Sequence, residues 1–208
     1  MSTTERAALC DTALLVGEDR PTLCEGWEVK DLVVHLLLRE GSLTATPGMF
    51  IPPLSGLTER ATRKLSQQEF TVLVEKLRGG PPVFSPFAIP PLEALVNSVE
   101  FFVHHEDVRR AQPGWEPREL PSWQQNLLWK QIALTGRRSA RRSAVGVRIA
   151  RSDTAEQKEL RNGEPLVLVR GLPSEITLFL FGRKAQAVVE LEGAADAVAR
   201  LRGAPMGI

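Results

Sequence analysis

"AVGVRIARSD", residues 144–153, is where the spacing of apolar residues changes. Val145, Val147 and Ile149 alternate, as on a pleated strand with one buried face. Two further short apolar runs, "PLVLVRG" (165–171) and "AVVELEG" (187–193), follow with Gly163, Gly171 and Gly193 between and around them. They read as strands, with "PSEITLFLFGR" and "GAADAVARLRG" as two short helices among them. Upstream of this change the apolar residues recur at three and four, the helical period. The expected class is therefore α+β: a helical bundle over 1–142 followed by a small mixed α/β domain over 143–208.

Five helices are expected in the first part. "STTERAALCDTALLVG" opens with Ser2 and Glu5 in capping-box spacing, and a second box, Ser66 to Glu69, precedes Phe70, Leu73, Val74 and Leu77 on one helical face. Between them the segment from about Glu28 to Leu43 is apolar on nearly all sides, as in a mostly buried helix. The Pro-rich stretch 81–91 reads as a connection. A fourth helix runs from Pro91 to "PGW", and a fifth begins at Ser122.

Composition narrows the function classes. Hydrophobic residues make up 43% of the 208 and charged ones 25%, enough apolar content to bury a core and too much for a disordered chain. A formal charge of +1 argues against wholesale electrostatic attraction to nucleic acid or to an anionic membrane, and leaves room only for a local patch. Cys10 and Cys24 are too few for a disulfide scaffold, and no export signal is legible, so the cytoplasm is the expected compartment. No stretch reaches the roughly 20 apolar residues of a bilayer span.

Chemistry is concentrated at "VEFFVHHEDVRRA", residues 99–111, which holds two of the three histidines. On a helix, residues four apart share a face, so Glu100 and His104 project side by side while His105 points about 100 degrees away. His35, in "VVHL" of the buried second helix, supplies a third ligand if the two helices face each other, as in bundle metal sites. Three protein ligands leave a coordination position open for water or substrate. The ordinary alternative is a set of core histidines satisfied by backbone or carboxylate partners. Without any such partner, ionisable groups in apolar helices cost several kcal/mol each.

The order "LCEGWEVKDLVVHL", "VEFFVHHEDVRRA" and "LVLVRGLPSEITLFLFGR" resembles the mycothiol-dependent maleylpyruvate isomerase family of the DinB-like superfamily, and most closely its short metal-binding members. The resemblance spans nearly the whole chain. It implies a DinB-like helical bundle that binds a divalent metal, usually zinc, through His35, Glu100 and His104. It also implies mycothiol as cosubstrate: the metal activates this low-molecular-weight thiol for attack on a small electrophile, in a transferase or isomerase reaction. Two other classes stay open, a non-catalytic metal-binding protein and non-haem iron oxygen chemistry, which also uses two histidines and a carboxylate.

Other residues carry weaker expectations. His105 and Asp107 suit either a supporting role beside the ligands or the surface. Trp27 reads as packing at the entrance to the second helix. Cys24 reads as a small hydrophobe, with a nucleophilic role as the lesser alternative. Arg137, Arg138, Arg141 and Arg142 make a basic face, expected to be a solvated helix end and not a nucleic-acid surface. Arg183 ends an apolar helix, and its guanidinium fork suits a substrate carboxylate in a cleft between the domains.

Overall fold

A computed structural model describes residues 1–41, 55–81 and 90–206. These hold eight helices and a four-stranded mixed sheet, with helices occupying the N-terminal part of the chain. The chain divides into two compact units, Met1–Glu116 and Pro117–Ile208. The break falls ahead of the expected boundary near 142, because the helix from 122 packs on the C-terminal sheet.

The first unit contains α1 (Ser2–Val16), α2 (Val29–Gly41), α3 (Ser55–Ser66), α4 (Phe70–Arg78) and α5 (Pro90–Arg109). Helix α1 lies against α5 and α4, and α2 against α3 and α4. Their shared core includes Leu9, Ala13, Leu32, Leu36, Leu73, Leu77, Phe101 and Val108. The face expected for α4 is the buried one: Phe70, Leu73, Val74 and Leu77 all turn inward. Neither capping box forms. Ser2 is buried inside α1, whose N-cap is Met1, and the Glu5 carboxylate is taken by His105. Ser66 closes α3 with its Oγ donating to Thr62 O, and α4 starts after Glu69 with no side-chain cap. Helix α3 went unforeseen because "SGLTERATRKLS" has few apolar residues from which to read a period. Most of the Pro-rich connection at 81–91, and the end of the second expected helix at 42–43, lie outside the described residues.

The second unit opens with α6 (Ser122–Ala140), followed by β1 (Gly146–Arg151), β2 (Gln157–Arg161), β3 (Leu166–Gly171), α7 (Pro173–Leu180), β4 (Glu190–Glu192) and α8 (Ala195–Gly203). The strand order is β2-β1-β3-β4, with β1 and β3 parallel and the outer pairs antiparallel. Trp129, Ile132 and Ala140 of α6 enter one core with Val147, Ile149, Val167, Val169, Ile176 and Phe179. Gly136 allows this approach, since a Cβ there would meet Leu160 Cδ1 at 2.9 Å. Strand β2, "QKELR", escaped the periodicity reading because it is an edge strand with a single fully buried side chain, Leu160. Arg137, Arg138, Arg141 and Arg142 are exposed, as expected of a solvated helix end.

The loop between β2 and β3 crosses the start of β1, where Gly146 N donates to Pro165 O at 3.0 Å. A Cβ on Gly146 would collide with Gly163 O, which is backbone and cannot swing away. Gly146→Ala should therefore destabilise the protein by about 1–3 kcal/mol, the usual range for overpacking. Urea denaturation checks this, and an unchanged midpoint would show that the loop yields freely.

Candidate metal centre

Two elements of the first unit bring the site together. Residues 17–28 form a loop held by an isolated bridge between Pro21 and Glu28, and Leu23 N donates to Asp107 O of α5 at 3.0 Å. Within it Thr22 Oγ1 accepts from Cys24 N at 3.1 Å and donates to Trp27 O at 3.0 Å, while Gly26 takes a φ of +76° suited to glycine. The turn so made sets Cys24 over α5 and starts α2, which carries His35 and Arg39.

His35, Glu100 and His104 converge, each offering a ligand atom within 4.8 Å of the others. His104 Nε2 lies 3.3 Å and His35 Nε2 3.8 Å from the same oxygen, Glu100 Oε1. The histidine rings meet edge to face with centroids 5.4 Å apart. Tetrahedral zinc with nitrogen and oxygen ligands requires ligand–ligand separations of about 3.3–3.5 Å, so small side-chain shifts suffice. Arg39, one turn beyond His35 on α2, brings its Nε to 3.2 Å from Glu100 Oε1. The i,i+4 relation to His35 was legible in the sequence, but the role of Arg39 was not foreseen.

The other nitrogen of His104 is equally engaged. Nδ1 donates to Asp107 Oδ2 at 3.0 Å, and Cys24 Sγ donates to the same oxygen at 3.3 Å. Asp107 is fully buried, which excludes the surface placement open to it in the sequence. A carboxylate on the far nitrogen fixes the tautomer and orientation of a metal-ligating histidine. His105, in contrast, is a core histidine: its Nδ1 donates to Glu5 Oε2 at 3.1 Å and its Nε2 shares a hydrogen bond with Thr12 Oγ1 at 2.9 Å. No sequence signal pointed to these partners on α1. Trp27, expected to pack at the entrance to the second helix, is instead exposed, with its ring centroid 5.0 Å from that of His35. Arg183 belongs to the second unit, where its Nη1 donates to Phe181 O at 2.6 Å.

Charge is balanced inside the cluster. Burial pushes the Glu100 carboxyl up, but hydrogen bonds from His104 and His35, with the charges of His104 and Arg39, outweigh it and hold Glu100 well below the usual carboxylate range. Burial pushes His104 down, yet hydrogen bonds with Asp107, Cys24 and Glu100, and the Glu100 charge, hold it protonated well above its ordinary 6.5. A depressed carboxyl stabilises the fold above its unfolded value, near 4.5, and loses that contribution as pH falls. A raised histidine stabilises below its unfolded value, near 6.5, and loses that contribution as pH climbs through the folded one. Metal-free protein should therefore melt highest between these two limits and lose melting temperature on the alkaline side. Thermal melts in chelator test this, and His104→Gln should flatten the alkaline slope.

No family model, curated protein or solved structure matches the chain. The geometry stands by itself: groups of His, Glu, Cys and Asp able to hold a metal ion, in a chain whose described residues include no helix long and apolar enough to cross a membrane.

Proposed function

We propose that the first unit is a DinB-like bundle holding a zinc-type divalent cation on His35, Glu100 and His104, and that the site serves a thiol-dependent transferase or isomerase reaction. One observation carries the reading: three ligand atoms from two helices converge while the second nitrogen of His104 is held by a buried carboxylate. The resemblance to the mycothiol-dependent isomerases supports the choice of thiol. A bound cation would supply Lewis acidity, keeping a low-molecular-weight thiol as its nucleophilic thiolate near neutral pH. Asp107 holds the His104 ring so that Nε2 faces Glu100. Arg39 orients the Glu100 carboxylate and offsets part of its charge.

Titration of the zinc-loaded protein with mycothiol, followed by heat of binding and proton release, is the direct test. Binding with release of about one proton per site is expected, because the thiol ionises on ligation. No binding to the zinc form, or equal binding to the metal-free form, would leave a purely structural metal site.

A further inference from the structure

His104 is flanked by carboxylates on both ring nitrogens, Glu100 at Nε2 and Asp107 at Nδ1. The Nδ1 side also carries a thiol. Cys24 Sγ, His104 Nδ1 and Asp107 Oδ2 are separated by 3.0 Å (Nδ1 to Oδ2), 3.3 Å (Sγ to Oδ2) and 3.9 Å (Sγ to Nδ1). A tetrahedral ion with sulfur, nitrogen and oxygen ligands needs edges of about 3.3–3.6 Å, so this triangle is already close to the right size. Its members are drawn from the 17–28 loop and α5, and the backbone bond from Leu23 N to Asp107 O holds those two segments in register.

We propose that Cys24, His104 Nδ1 and Asp107 form a second, alternative cation position that takes thiophilic d10 ions such as Zn2+ or Cd2+. It rests on the reading of His104 as a metal ligand, and it adds a thiolate set to the His35–Glu100–His104 set. The two positions exclude each other through the imidazole. With the ion on Nε2, Nδ1 keeps its proton and donates to Asp107. With the ion on Nδ1, Nε2 keeps the proton and donates to Glu100, which exchanges its part with Asp107. Filling both would strip both N–H protons and deprive each carboxylate of its donor. Entry at the thiolate position releases the Cys24 thiol proton and the Nδ1 proton to solvent, and oxidises nothing. Softness of the ligands then sorts the ions: thiolate favours Cd2+ and Zn2+, whereas harder ions such as Mn2+ stay with His35 and Glu100.

The probe is Cd2+ titrated into metal-free full-length protein, followed by the ultraviolet thiolate-to-cadmium absorption. The band should saturate at one equivalent per chain and survive His35→Ala. In Cys24→Ser it should vanish, with Cd2+ affinity reduced by at least the roughly 10–100-fold that loss of an outer-shell partner costs. Cys10 gives no competing signal, being fully buried with its thiol pushed up to about 11 by that burial. In the unaltered protein, Cd2+ but not Mg2+ should protect Cys24 from iodoacetamide, which removes any dependence on the folding of variants. Absence of the band, its persistence in Cys24→Ser, saturation at two equivalents or failure of protection would overturn the proposal. The His35–Glu100–His104 reading fails separately, if His35→Ala leaves Mn2+ or Co2+ binding intact while the cadmium band behaves as stated.

Discussion

His104→Ala should abolish zinc retention through dialysis, with affinity falling by more than the roughly 100-fold upper range for an outer-shell partner. Its neighbour should behave in the opposite way. His105→Ala should leave zinc content near the wild-type level and instead destabilise the protein by about 1–3 kcal/mol, since Glu5 and Thr12 lose their shared partner in a buried place. The pair of measurements, metal content by elemental analysis and unfolding by urea, separates the two histidines along independent axes. Equal loss of metal from both variants would show that the site is built differently. His35→Ala and Glu100→Ala should follow His104→Ala in metal content, because each removes one of three converging atoms.

Glu106→Ala carries the largest expected stability effect. Its carboxylate is fully buried on α5 and accepts from Arg110 Nε at 2.5 Å and from Arg109 Nη1 at 3.2 Å. Arg110 is 3% exposed and lies over the Trp115 ring, so little water can replace the lost anion. Breaking one side of a buried pair typically costs about 3–5 kcal/mol, because the surviving charge stays desolvated. The double replacement Glu106→Leu with Arg110→Met should recover much of that loss, since removing both charges removes the desolvation as well. A single-variant loss below about 1 kcal/mol would mean that Arg110 reaches solvent freely. Zinc content should not change in either variant, as Glu106 belongs to neither ligand set.

Elements whose own residues carry the period were legible. Helix α4 shows its buried face in Phe70, Leu73, Val74 and Leu77, and the switch to strands at Val145 marks the onset of the sheet. The misreadings share a cause, which is that local pattern cannot see a distant partner. Glu5 has capping-box spacing, but a buried imidazole 100 residues away takes its carboxylate. Helix α6 has the pattern of a bundle helix, but its apolar face and Gly136 fit the β-sheet beside Leu160. Strand β2 has almost no apolar signal, since it is held by the backbone ladder to β1 and buries one side chain.

At the site the division is equally physical. Sequence by itself determined that Glu100 and His104 share a helix face and that His105 does not, because a helix turns about 100 degrees per residue whatever surrounds it. It also determined that Asp107 lies one turn beyond His104 and Arg39 one turn beyond His35. Only the tertiary structure decided that α2 brings His35 to Glu100, that the 17–28 loop lays Cys24 beside Asp107, and that Glu5 and Thr12 claim His105. Those contacts join residues 65 to 100 positions apart, and their closeness depends on how whole helices pack, which no local spacing encodes.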